Sequence, residues 1–138
     1  MKKYFPLLPV IGLVSTAAVA KIQVQNLWVR ASTGPNTAAY MKLINTSNKE
    51  IYLTDVHSPV SASGELHEII DMGKGMQMQK ISTIQIPSNE EVVLMPGKTH
   101  VMLMNIKDSP LTEGKSVPLT LVFNGGEELQ LMAPVKAQ

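Results

Sequence analysis

The sequence predicts an all-β sandwich in a single domain, and three observations lead there. Its apolar runs are short, rich in Val, Ile and Leu, and separated by clusters of Gly, Pro, Asn and Ser, the punctuation of many short strands rather than long helices. The chain has 138 residues, and what remains after an N-terminal leader is enough for one core. No low-complexity segment, internal repeat or charge block marks a second unit.

The leader comes first. Met1-Lys2-Lys3 is a basic start, Tyr4 to Val14 is mostly apolar, and Ala18-Val19-Ala20 is a small-x-small cleavage signal. Pro6 and Pro9 interrupt an apolar stretch already too short for a membrane span, which needs about 20 residues. Residues 1–20 therefore read as a signal peptide and residues 21–138 as the mature domain, with the bacterial periplasm as the destination. The absence of cysteine argues against an acylated-cysteine anchor and leaves stability to a hydrophobic core. It also excludes a blue-copper centre and a cysteine-type zinc site. Taking Lys2 and Lys3 from the 12 basic residues leaves 10 against 11 acidic ones, a mature net charge of −1. With no basic run and few aromatics, there is no electrostatic footprint for nucleic acid or an anionic membrane, so a periplasmic protein is the expected partner.

Nine strands are expected in order: Ile22 to Arg30, Ala38 to Asn45, Ile51 to Val56, Glu65 to Ile70, Met76 to Ile81, Glu91 to Leu94, His100 to Ile106, Val117 to Phe123 and Glu128 to Pro134. The segments between them carry turn chemistry. Asn45-Thr46-Ser47-Asn48 follows the second strand, Ser88-Asn89 precedes the sixth, Pro96-Gly97 precedes the seventh, and Asn124-Gly125-Gly126 joins the last two. Asp71-Met72-Gly73-Lys74-Gly75 reads as a mobile hairpin turn at one end of the sandwich. Antiparallel pairing is the expectation throughout.

Onto these strands falls a pattern with chemistry in it. His67, Met78, His100 and Met102 stand as H-x10-M-x21-H-x-M. Thioether sulfur is a soft, uncharged donor that suits Cu(I), while imidazole suits several transition metals, so methionine supplies selectivity and histidine grip. Two imidazoles and two thioethers are neutral, and adding Cu(I) leaves a single positive charge. Such a site can hold copper and release it. Of the eight methionines after Met1, six (Met72, Met76, Met78, Met95, Met102, Met104) fall within residues 72–104. Methionine is also an ordinary core filler, and for any one of them packing is the competing reading.

Strand periodicity separates the two readings for His100-Val101-Met102-Leu103-Met104. Residues i and i+2 share a face, so Val101 and Leu103 form the core pair and His100, Met102 and Met104 point away from it, toward a less buried face. Met76 and Met78 share a face in the same way. His67 is undecided locally, since Glu65-Leu66-His67-Glu68-Ile69-Ile70 does not alternate cleanly and either face could be the core. His57, outside the pattern and just before Ser58-Pro59, reads as a surface residue. Glu65 and Glu68 flank His67 as solvated or supporting carboxylates rather than acid–base catalysts.

With these residues in view, the chain resembles the periplasmic copper chaperones called PCu(A)C, whose hallmark is this H-x10-M-x21-H-x-M pattern. The likeness extends to Trp28-Val29-Arg30, to Ala38-Ala39-Tyr40-Met41 with Leu43-Ile44-Asn45, and to the run from Met95-Pro96-Gly97 through Leu103. It covers nearly all of residues 21–135. The resemblance implies a cupredoxin-like Greek-key sandwich, where the pattern alone gives only a β-sandwich. It implies Cu(I) held by His67, Met78, His100 and Met102, with Met76 and Met104, each two residues from a ligand, as substitutes. It also implies delivery to the dinuclear copper centre of cytochrome oxidase, often alongside thioredoxin-like assembly factors.

Copper competes with protons for imidazole near its ordinary pKa of about 6.5, so affinity is expected to fall, not vanish, on acidification. Two readings of other classes stay open. A mononuclear copper oxidative enzyme would need more than three histidines readily supply, and no paired carboxylates or serine-histidine-acid set accompanies them. A metal-free interaction module is compatible with any sandwich, because fold does not determine function. A non-enzymatic copper carrier is the expectation.

Overall fold

The computed structural model describes residues 21–71, 73–108 and 110–137, so the expected signal peptide and Met72 lie outside the described residues. Ten strands form in order: β1 (Ile22–Arg30), β2 (Thr37–Asn45), β3 (Ile51–His57), β4 (Ser61–Asp71), β5 (Met76–Ile81), β6 (Ile84–Ile86), β7 (Glu91–Leu94), β8 (His100–Ile106), β9 (Ser116–Phe123) and β10 (Glu128–Lys136). A 3-10 turn at Asn124–Gly126 joins the last two. The fold is all-β, as the sequence predicts. Two elements exceed the expectation: the short strand Ile84–Ile86, and the first half of β4, Ser61 to Gly64.

The strands run in the spatial order β5-β4-β8-β2-β1-β10-β9-β3-β6, with β7 pairing β2 outside this path. One half, β5-β4-β8-β2-β1, and the other, β10-β9-β3-β6, meet through β1 and β10. That junction is parallel, at Val29 with Val135 and Arg30 with Lys136, which corrects the wholly antiparallel sandwich read from the sequence. The reason lies in the topology: β1 and β10 are the first and last strands among the described residues, so no hairpin turn dictates their pairing, and both directions are open to them.

The core lies between the halves. Val29, Ala39, Leu43, Leu53, Val56, Val101, Leu103, Leu121 and Phe123 are all buried in one continuous apolar cluster. Alternation in β9 is strict, with Val117, Leu119, Leu121 and Phe123 inward. Gly64 lets the halves approach closely: a Cβ there would collide with the carbonyl oxygen and Cγ1 of Val56 on β3. Turn residues behave as their chemistry requires. Asn89 and Gly97 take positive φ, at 58° and 82°, in the two connections flanking β7.

Candidate metal centre on the outer face of the sheet

Register fixes which side chains share a face, because directly opposed residues on neighbouring strands point the same way. His67 on β4 stands opposite His100 on β8 and opposite Lys80 on β5. Glu65 stands opposite Met102, and Met102 opposite Ala38 on β2. Ile69 stands opposite Met78 on β5. All of these belong to one face, and Val101, Leu103 and Leu66 to the core face behind it. His67, Met78, His100 and Met102, separated by up to 35 positions in the chain, thus come to one patch of outer sheet drawn from three adjacent strands.

The patch is more enclosed than the sequence suggested. His100 and His67 are 4% and 9% exposed, Met102 is half-buried, and Met78 is 52% exposed at the sheet edge. The imidazole centroids are 5.9 Å apart. Aromatic neighbours enclose His100: Tyr40 lies 6.1 Å from it, centroid to centroid, and Trp28 lies 4.8 Å from Tyr40. Burial pushes the Tyr40 phenol above its ordinary range, partly opposed by the Arg30 guanidinium, so Tyr40 remains a neutral phenol.

Hydrogen bonds orient both histidines. His100 Nδ1 lies 2.7 Å from the Lys98 carbonyl oxygen, an acceptor only, so Nδ1 carries the proton and the neutral ring offers its lone pair at Nε2. His67 Nε2 lies 2.8 Å from Glu65 Oε1. That carboxylate, held below its ordinary range chiefly by this hydrogen bond, accepts from Nε2–H. The lone pair of neutral His67 is then on Nδ1, which is buried without a hydrogen-bond partner. An unmet buried acceptor costs roughly 1–3 kcal/mol, and a metal ion satisfies it. Carboxylate and carbonyl partners of this kind are how proteins orient metal-binding histidines.

The donor set is what a soft ion needs and a hard one does not. Among the described residues, no three His, Asp or Glu side chains come together as a hard-ligand cluster. Beside the histidines runs a cleft of about 280 Å³, bounded by Arg30, Tyr40, Ile69, Met78, His100 and Met102. Thus both methionines and one histidine of the predicted set face a common opening. Met104, opposite Ser63, and Met76, opposite Asp71, share the same face one step further out. His57 lies on β3, in the other half of the strand order, and its Nε2 is 3.3 Å from Asp55 on the surface.

Sequence reasoning passed over Tyr40, Trp28 and Arg30, which border the four candidate donors without belonging to the donor set. Their signal was present: Val29, Ala39 and Met41 are core residues, so alternation puts Trp28, Arg30 and Tyr40 on the outer face.

Residues 22–135 match the family described as "Putative lipoprotein LpqE-like". The chain belongs to this family, which is of the PCuAC type. A relative from Leifsonia xyli subsp. xyli, "Putative lipoprotein Lxx21020", is 33% identical over 116 residues, covering 83% of this chain and 69% of its own length. The copper-bound PCuAC domain from PmoF2 is 26% identical, with a TM-score of 0.74, over 91% of this chain and all of that domain. The Cu(I) form of DR1885 from Deinococcus radiodurans is 30% identical, with a TM-score of 0.62, over 88% and 84% of the two chains. These likenesses make the PCuAC sandwich cupredoxin-like, as the resemblance implied. Among the described residues, no helix is long and apolar enough to cross a membrane.

Proposed function

We propose that this PCuAC-type protein is a copper chaperone that binds Cu(I) through His67, Met78, His100 and Met102 and passes it to an acceptor protein. One observation carries the reading: two oriented imidazoles, one with a buried lone pair lacking any partner, share a sheet face with two thioethers beside an open cleft. The copper named in the descriptions of the PmoF2 and DR1885 structures supports it.

The chemistry follows from the ligands. Copper enters from the cleft, where exposed Met78 is the first thioether it meets, and the preoriented imidazoles then complete the shell. Release proceeds by exchange: an incoming thiolate, a stronger donor for Cu(I), displaces the neutral thioethers in turn and drives transfer downhill. No electron transfer or bond-making chemistry is needed, so the protein acts as a carrier and not as an enzyme. The leader at residues 1–20 supports a periplasmic location, and the family likeness supports cytochrome oxidase, through its copper-centre subunit or a thioredoxin-like assembly factor, as the destination.

The test is an anaerobic Cu(I) competition titration against a chromophoric chelator, with His100→Ala and Met102→Leu alongside. One equivalent bound, with weaker binding in both variants, is the expected result. Binding indifferent to both changes would sink the reading.

A further inference from the structure

The cleft that adjoins the histidines is also lined by a cation, Arg30, for which no ion pair is formed among the described residues. Its Nε is buried without a hydrogen-bond partner. The guanidinium is held in place: its central carbon sits 5.3 Å from the centroid of the Tyr40 ring, which in turn faces His100. Neighbouring hydroxyls are already committed to main-chain carbonyls. Thr37 Oγ1 donates to Arg30 O at 2.6 Å, and Ser32 Oγ donates to Asn36 O at 3.0 Å. The guanidinium is therefore the charged donor left in the cleft.

Its position matters once copper arrives. Four neutral ligands add no counter-charge to Cu(I), and the Glu65 carboxylate on this face is already engaged by His67 and Lys80, so neither it nor the ligands neutralise Arg30 in the loaded cleft. The buried Nε lacks a partner, and the planar guanidinium fork suits a carboxylate in bidentate contact. A free carboxylate would offset the charge but move no copper. A carboxylate on the copper acceptor would do both, anchoring the acceptor at Arg30 while its copper ligands reach Met78 and Met102 along the same opening.

We propose that Arg30 is a docking residue that receives an acidic side chain of the copper acceptor in the cleft beside His100 and Met102. The proposal rests on the chaperone reading above, and its test is arranged to fail separately. Metal-free protein is titrated with a nonapeptide of alternating Glu and Ala and with its Gln counterpart. Trp28, the single tryptophan, packs at a tilt against Tyr40, which carries Arg30 over its ring, and reports binding by fluorescence.

The Glu peptide is expected to bind and to weaken with added salt, and the Gln peptide to bind far less. Arg30→Gln should lower Glu-peptide affinity about tenfold or more, the loss that follows removal of a hydrogen bond between charged groups. Arg30→Lys should restore part of it and decides the matter if Arg30→Gln fails to fold. Both variants should keep their stoichiometric Cu(I) binding. Peptide affinity unchanged in the variants, or a Gln peptide that binds equally well, would overturn the proposal. So would free acetate competing as effectively as the peptide per carboxylate, which would make this a small-anion site. Loss of copper binding in the unsubstituted protein would instead strike the chaperone reading and leave the peptide result standing.

Discussion

Glu65 and Glu68 bracket His67, and only one of them touches it. Glu65 shares the outer face and fixes the His67 tautomer at 2.8 Å, whereas Glu68 pairs with Gln79 across β4 and β5 on the opposite side of the strand. Glu65→Ala should weaken Cu(I) binding by roughly 10–100-fold, the usual cost of losing a residue that orients a metal-bound histidine. Glu68→Ala should leave it within about twofold, and competition titration of both variants checks the contrast. Equal effects would mean the carboxylates act only as diffuse charge. At this scale the sequence was uneven. His100 and Met102 could be placed because Val101 and Leu103 are unmistakably core. His67 could not, because Leu66 and His67 are both buried: on the outer face His67 lies beside the His100 ring and the Glu65 carboxylate, so burial ceases to alternate.

Strand β4 carries His67 and stands between β5 and β8, the strands of the other three proposed donors, and it is positioned by a residue with no side chain. Gly64 stands opposite Leu103 on the core face and lies against Val56 of β3, so any Cβ must push the two halves apart. Overpacking of this kind costs about 1–3 kcal/mol, which for a domain of this size lowers Tm by roughly 4–12 °C, so Gly64→Ala should melt earlier by that amount in a thermal scan. An unchanged Tm would show that the halves are looser than the structure has them. Strand boundaries were legible where alternation was strong, as in Met76–Ile81 and His100–Ile106, both anticipated to the residue. Ile84–Ile86 was not, being too short for any period to register. The parallel contact of β1 with β10 joins the ends of the domain, and neither strand's own pattern encodes a partner's direction.

The molecule divides its labour between the two faces of one sheet, a hydrophobic face that folds it and an outer face that carries the donors. Adjacent residues of β8 should therefore fail in opposite ways. Leu103→Ala should cost about 2–5 kcal/mol of stability by leaving a cavity while keeping all four donors, and Met102→Leu, a swap of similar volume, should cost less than about 1.5 kcal/mol yet weaken copper binding. Denaturant unfolding and copper titration of the two variants together check this separation. The overall class was open to sequence reading because strand alternation repeats at short range, whereas the proposed donors rest on one spacing pattern spread over 35 positions. The enclosure around the donors was not open to such reading, since Trp28, Arg30 and Tyr40 join them only through pairing between β1, β2 and β8. X-ray absorption of the Cu(I)-loaded protein addresses the central claim most directly. A shell of two nitrogen and two sulfur scatterers, losing one sulfur in Met102→Leu and one nitrogen in His100→Ala, is the result this account predicts; a sulfur-free shell, or one that both substitutions leave unchanged, would contradict it.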